Sequence, residues 1–222
     1  MTVARLKDQR GFTLVELLVA SVCTVVVLGG AVALTTQIQN GYRRQIEDSV
    51  GEQEARYALE WIGRYLRSVG NNPFSRASSA CPTAGTLFVG LIPNMTTGSL
   101  TLQSDSNPPD GLIGGASGAC NQTNEHVTIS HNATLHEIEF LDQAVGTTST
   151  TRTDAVIDAL QFVYRKSDRS PWTPIDSATG LPDSPNNIFY VQTNIAIRTR
   201  TLNANGSPNT RTISSEIRVR SR

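Results

Sequence analysis

No arrangement of residues in this sequence supplies a nucleophile with a base. GxSxG, HExxH, P-loop and paired-carboxylate patterns are all missing, and with them the usual hydrolase, zinc-peptidase and nucleotide-triphosphate chemistries. Histidine is scarce. His126, His131 and His136 are the three present; their spacing of five alternates faces along a strand, so they are not expected to share a metal. Cysteine is scarce too, with three residues and no CxxC pair, which argues against a metal or redox centre. Charged residues make up only 17% of the chain, and there is no internal repeat or long low-complexity tract. The sequence therefore reads as a non-enzyme with no metal site and no cofactor.

What is abundant is uneven. Gly, Pro, Ser, Thr and Asn crowd the chain after residue 70, a composition that suits a loop-rich β domain. The 222 residues give room for one such domain and an anchor. Net charge is zero overall, but residues 1–11 hold Arg5, Lys7 and Arg10 against Asp8, net +2, which leaves the rest at −2. An apolar run of 23 residues follows, 12–34. At about 1.5 Å per residue it can cross a hydrocarbon core of roughly 30 Å. A basic stub before such a run favours a cytoplasmic N-terminus and an exported remainder. A cleavable secretory signal has a shorter apolar core; here the run continues past Ala20-Ser21-Val22.

One carboxylate, Glu16, interrupts that run. A charge at bilayer depth costs roughly 2.5–3.5 kcal/mol on insertion scales, so it is kept for a partner or a function. Small Gly11 stands directly before Phe12, with basic residues upstream. The segment Arg10-Gly11-Phe12-Thr13-Leu14-Val15-Glu16, with Leu17 and Leu18 after it, resembles the prepilin N-terminus of type IV pilins and of type II secretion pseudopilins. The resemblance implies cleavage after Gly11 by prepilin peptidase and N-methylation of the freed Phe12 amine. It also implies a role for Glu16 in docking onto a growing filament. An ammonium and a carboxylate are complementary in a low dielectric, within one subunit or between neighbours. By size and late strand pattern the chain is most similar to PilW-type minor pilins, with the J-type pseudopilin of type II secretion second.

From residue 37 to 69 the pattern turns amphipathic. Ile46, Val50, Tyr57, Trp61, Ile62, Tyr65, Leu66 and Val69 recur at spacings near three and four, and Glu60 and Arg64 form an i, i+4 pair. Gly70-Asn71-Asn72-Pro73 supplies the stop. One helix over 12–69 would be about 87 Å long. Gly29-Gly30 within it suits close packing against neighbouring helices, at up to about 1 kcal/mol per glycine; local unwinding is the alternative. Strands are predicted over 86–91, 100–103, 125–130, 135–141 and 156–164, with a turn at His131-Asn132. Residues 167–187 form a long loop. Alternation over 189–198 and 213–220, around Asn205-Gly206, predicts a final hairpin with one face on the helix. The expected fold is α+β and pilin-like: a long N-terminal helix packed on a C-terminal antiparallel sheet. Its parts are a leader (1–11), a membrane or filament-core helix (12–36), a helical spine (37–72) and an exported β domain (73–222).

Three surface features remain. Cys23 lies in the apolar run as a small filler, whereas Cys81 and Cys120 lie in the exported part and are the expected disulfide pair, worth about 4 kcal/mol on the chain-entropy model. Asp105-Ser106-Asn107 with Asp110-Gly111 is oxygen-rich, as calcium loops are, but lacks the EF-hand spacing. Residues 191–222 carry six arginines against Glu216, net +5; Arg198, Arg200, Arg218 and Arg220 should share the exposed hairpin face, where like charges repel unless a partner meets them. A neighbouring pilin's acidic face is the first reading, a merely solvated face the next, and DNA the third. Together these readings describe an inner-membrane minor pilin that primes or joins type IV pilus assembly. Its partners would be prepilin peptidase, other minor and major pilins, the inner-membrane assembly platform and, before assembly, lipid. A pseudopilus-tip subunit and a pilus-borne DNA- or surface-binding module are the alternatives.

Overall fold

The computed structural model describes residues 12–73, 78–79, 86–94, 98–106, 109–111, 122–143, 146–175, 183–202 and 208–219. They divide into two compact units, the first ending at Ile46 and the second spanning Glu47–Arg222. A single helix, α1 (Leu14–Ser68), runs through both. Its end follows the predicted stop: Gly70 takes a φ of 73°, a conformation that costs glycine nothing, and its N–H donates to the Gln103 carbonyl at 3.1 Å.

The strands are β1 (Ser78–Ser79), β2 (Thr86–Leu87), β3 (Leu91–Pro93), β4 (Ser99–Gln103), β5 (His126–Asn132), β6 (Glu137–Asp142), β7 (Thr150–Thr151), β8 (Ile157–Arg165), β9 (Tyr190–Leu202) and β10 (Pro208–Arg218). Instead of one sheet there are two principal antiparallel sheets, ordered β3-β4-β5-β6-β7 and β10-β9-β8, besides the β1-β2 pair. Two strand predictions change for local reasons. The run predicted over 86–91 is split by Gly90, whose φ is 75° and whose missing Cβ would stand 3.1 Å from the Gly70 Cα. The turn predicted at His131-Asn132 lies one step later. β5 runs through both residues, and the Asn132 side chain then accepts the N–H groups of Thr134 and Leu135 at 3.0 and 3.1 Å. An Asn that holds its own turn in this way is a known turn-former.

The helix face that packs on the sheets also differs from the predicted stripe. Trp61, Ile62, Leu66 and Val69 are buried as expected, but Ile46, Val50 and Tyr57 are exposed. Small residues replace them: Gly51, Ala55, Ala58 and Gly63. The reason is close approach. A Cβ on Gly51 would lie 3.8 Å from Ile197 Cδ1 in β9, and one on Gly63 only 2.8 Å from Ile217 Cδ1 in β10. Apolar periodicity finds large side chains, whereas a tight helix–sheet contact needs small ones.

The hairpin alternates as predicted, with Val191, Thr193, Ile195 and Ile197 of β9 buried. In β8 a bulge between Ile157 and Ala159 puts Ile157, Leu160 and Tyr164 inward while Phe162 is only half-buried. The five-stranded sheet offers a buried row, Leu100–Ile129–Phe140, across β4, β5 and β6. Phe140 meets α1 through Trp61 and Tyr65, with ring centroids 6.1 and 5.3 Å apart. Arg211 of β10 ties the helix from the other sheet by an ion pair to Glu52 at 2.9 Å. The same carboxylate pairs with Arg56 one turn along. That i, i+4 pair forms, whereas among the described residues Glu60 and Arg64, expected to pair, do not.

Candidate functional site

The N-terminal helix segment is built to sit in an apolar medium. Among the described residues it is the one helix long and apolar enough to cross a membrane, with mean hydropathy 2.6 over 18 residues and none of that window buried within the chain. Phe12, Leu14, Val15, Leu17 and Leu18 are all exposed, a contiguous apolar surface of a kind that calls for lipid or protein cover. Every hydroxyl in it is already spent. Ser21 donates to the Leu18 carbonyl and Thr24 to Ala20, both at 2.8 Å; Thr35 donates to Ala31 and Thr36 to Val32. Hydroxyls satisfied by their own helix carry little penalty in hydrocarbon. Cys23 is exposed and free.

Glu16 is the residue left over, and the structure shows what holds it. Its Oε2 accepts from the Thr13 N–H and the Thr13 hydroxyl, each at 3.0 Å, while the Glu16 N–H donates to Thr13 Oγ1 at 3.2 Å. The Leu17 N–H donates to the Thr13 carbonyl, which makes Thr13 the N-cap. Thr13-x-x-Glu16 is thus a capping box, each side chain satisfying an N–H that the helix start leaves unpaired. The negative group also stands at the positive end of the helix dipole. Sequence reasoning assigned Glu16 a role and overlooked Thr13, although Thr-x-x-Glu opening an apolar run is itself a recognisable signal. Gly11 lies outside the described residues.

Of the four hairpin arginines expected to share a face, Arg198 and Arg218 can be placed, and they are far apart. Arg198 pairs in register with Thr210, and Arg218 with Tyr190. Both are on the same face, but Arg218 stands beside Tyr190 at the start of β9 and Arg198 eight positions along it, about 26 Å apart at the usual strand rise. Neither stands opposite another arginine. Arg198 lies 3.9 Å from Asp158 and 3.2 Å from His136 Nε2. At the other end Glu216 pairs with Arg165 at 3.7 Å and Arg169 at 3.3 Å, and Arg169 stacks over Tyr190. Each end therefore has its own carboxylate. Arg220 and the Arg200 side chain lie outside the described residues, as do Cys81 and Cys120 of the expected disulfide.

The oxygen-rich loop has a structural job. Both Asp105 carboxylate oxygens accept backbone N–H groups, from Asp110 at 3.0 Å and Gly111 at 2.8 Å, and the fully buried Glu125 accepts the Ser106 N–H at 2.8 Å. Among the described residues no three His, Cys, Asp or Glu side chains gather where a metal could bind. The histidines go separate ways. His131 bonds the Ile157 carbonyl, His136 meets Arg198, and burial pushes the His126 imidazole down, with Asp142 opposing.

Residues 6–32 match the family model of the prokaryotic N-terminal methylation motif. The match takes in Gly11, Phe12, the Thr13–Glu16 cap and the head of α1. No curated protein and no solved structure matches the chain. The motif, heading an apolar helix that precedes an antiparallel β domain, supports a prepilin of the type IV pilin or pseudopilin kind. Such proteins are structural rather than catalytic, are processed by prepilin peptidase and assemble with other pilins.

Proposed function

We propose that this chain is a minor pilin, an inner-membrane subunit that primes or joins type IV pilus assembly. The observation that carries the reading is one carboxylate, held by a capping box, at the head of a membrane-length helix inside a methylation motif. Prepilin peptidase cuts after Gly11, and the Phe12 amine it frees is methylated. The basic leader stays cytoplasmic and the β domain is exported. In the membrane Thr13 satisfies Glu16 locally. On assembly Glu16 meets the ammonium of Phe12, in its own subunit or a neighbour, where the low dielectric strengthens the pair. Residues 12–34 supply the packing surface, and Cys81–Cys120 closes a disulfide in the oxidising exported compartment.

The test is a count of surface pili by electron microscopy in cells lacking the gene, beside a complemented control. Loss of pili that complementation restores is the expected result. Normal piliation with failed protein secretion would instead assign the chain to a secretion pseudopilus. In the complemented strain, Glu16→Ala should leave leader cleavage intact and impair incorporation into filaments; normal incorporation would remove Glu16 from docking.

A further inference from the structure

Within the Glu47–Arg222 unit, α1 and the five-stranded sheet enclose an open cavity of about 370 Å³, within the usual size range of small-ligand sites. Its walls are aromatic: Tyr57, Trp61 and Tyr65 from the helix, Phe140 from β6. Two cations line it as well, Arg64 and Arg152. Neither forms an ion pair among the described residues. Arg152 lies over the Phe140 ring, 4.6 Å from its centroid. Among the described residues its guanidinium makes no hydrogen bond or ion pair, and guanidinium N–H groups fork onto a carboxylate. Burial pushes the Tyr65 phenol up, against the pull of Arg152 and Arg64. It therefore remains a donor, and it is spent on Asn124 Oδ1 at 2.7 Å. The acid nearby, Asp142, is itself buried and accepts the Asn124 N–H at 2.8 Å. An aromatic cage without cations takes an ammonium ligand; here the protein's own guanidinium already fills that role.

We propose that this cavity binds a carboxylate carried on an aromatic stem, of about the size of one aromatic amino acid. The carboxylate is met by Arg152 and Arg64, and the stem stacks against Tyr57 and Trp61. Tyr57 keeps 52% of its surface exposed in the free protein, and the ligand would cover it. The proposal is independent of the pilin reading, because none of these residues belongs to the N-terminal segment.

The chain has two tryptophans, Trp61 and Trp172, so Trp172→Phe leaves the cavity wall as the sole reporter. The full chain carrying that change, in nonionic detergent, is titrated with N-acetyl-L-phenylalanine and with its uncharged amide. Fluorescence and calorimetry are read on the same sample. The acid should bind saturably near about 1 mM, and the amide about tenfold or more weakly. Arg152→Gln should lose the difference between them, whereas Arg218→Gln, far from the cavity, should retain it. A short peptide ending in Phe separates two sources of the ligand. Binding equal to that of the free acid points to a partner chain's C-terminus, and binding of the free acid alone points to a small molecule. No saturable signal by either method, or equal binding of acid and amide, overturns the proposal.

Discussion

Thr13 satisfies the one carboxylate of the apolar helix head through both its N–H and its hydroxyl. It gives Glu16 two hydrogen bonds at 3.0 Å and takes one back. Thr13→Val keeps the shape and removes the hydroxyl. Losing an N-cap costs about 1 kcal/mol, so amide exchange in the first helical turn, measured in micelles, should quicken about fivefold; Thr13→Ser should restore it. Unchanged exchange would mean that the cap contributes nothing in the micelle. His126 sets a pH dependence by the opposite route. Burial lowers its folded-state pKa below the free value of about 6.5, so the unfolded chain binds the proton more readily. Stability is full above about pH 6.5 and falls as pH drops through that value towards the folded pKa. His126→Gln should flatten the slope of unfolding midpoint against pH in that window.

For the elements, the informative residues are the glycines of α1. Gly51 has ordinary contact space towards Ile197, whereas Gly63 has almost none towards Ile217. Gly51→Ala should therefore stabilise the protein by up to about 1 kcal/mol through helix propensity. Gly63→Leu should destabilise it by about 1–3 kcal/mol by overpacking. Denaturant titrations of the two variants check both signs; a neutral Gly63→Leu would mean that the helix and β10 are not in close contact. Gly29 and Gly30 differ again. The helix runs through them unbroken, and a Cβ at either would meet nothing within 4 Å. If their place is in a filament, Ala at both should leave membrane insertion unchanged and reduce incorporation, read by immunoblot of sheared pili.

In the whole molecule, the described cations of the final hairpin do not converge. Arg198 and Arg218 stand far apart on one face; Arg198 lies beside Asp158, and near Arg218 the Glu216 carboxylate is already paired with Arg165 and Arg169. A DNA-binding surface would need several cations acting together, with affinity falling steeply as salt rises. Arg198→Glu and Arg218→Glu should each leave DNA retention of the purified protein unchanged at about 0.15 M salt. A large drop from either would restore nucleic acid as a partner.

Much of this was legible in the chain. The membrane-length run, the motif around Gly11, Phe12 and Glu16, the helix stop at Gly70 and the alternation of β9 all depend on residues close in sequence, where spacing and turn chemistry decide the outcome. The capping box was equally legible, since Thr13 and Glu16 are three residues apart. The rest required the fold. That Gly51 and Gly63, rather than Val50 and Tyr57, face the sheet follows from how near β9 and β10 come to the helix. That Arg211 reaches Glu52, or that Arg64 and Arg152 line one aromatic cavity, joins positions dozens of residues apart. Local sequence sets each strand and helix face, but only the packed sheets fix which distant side chains share a space.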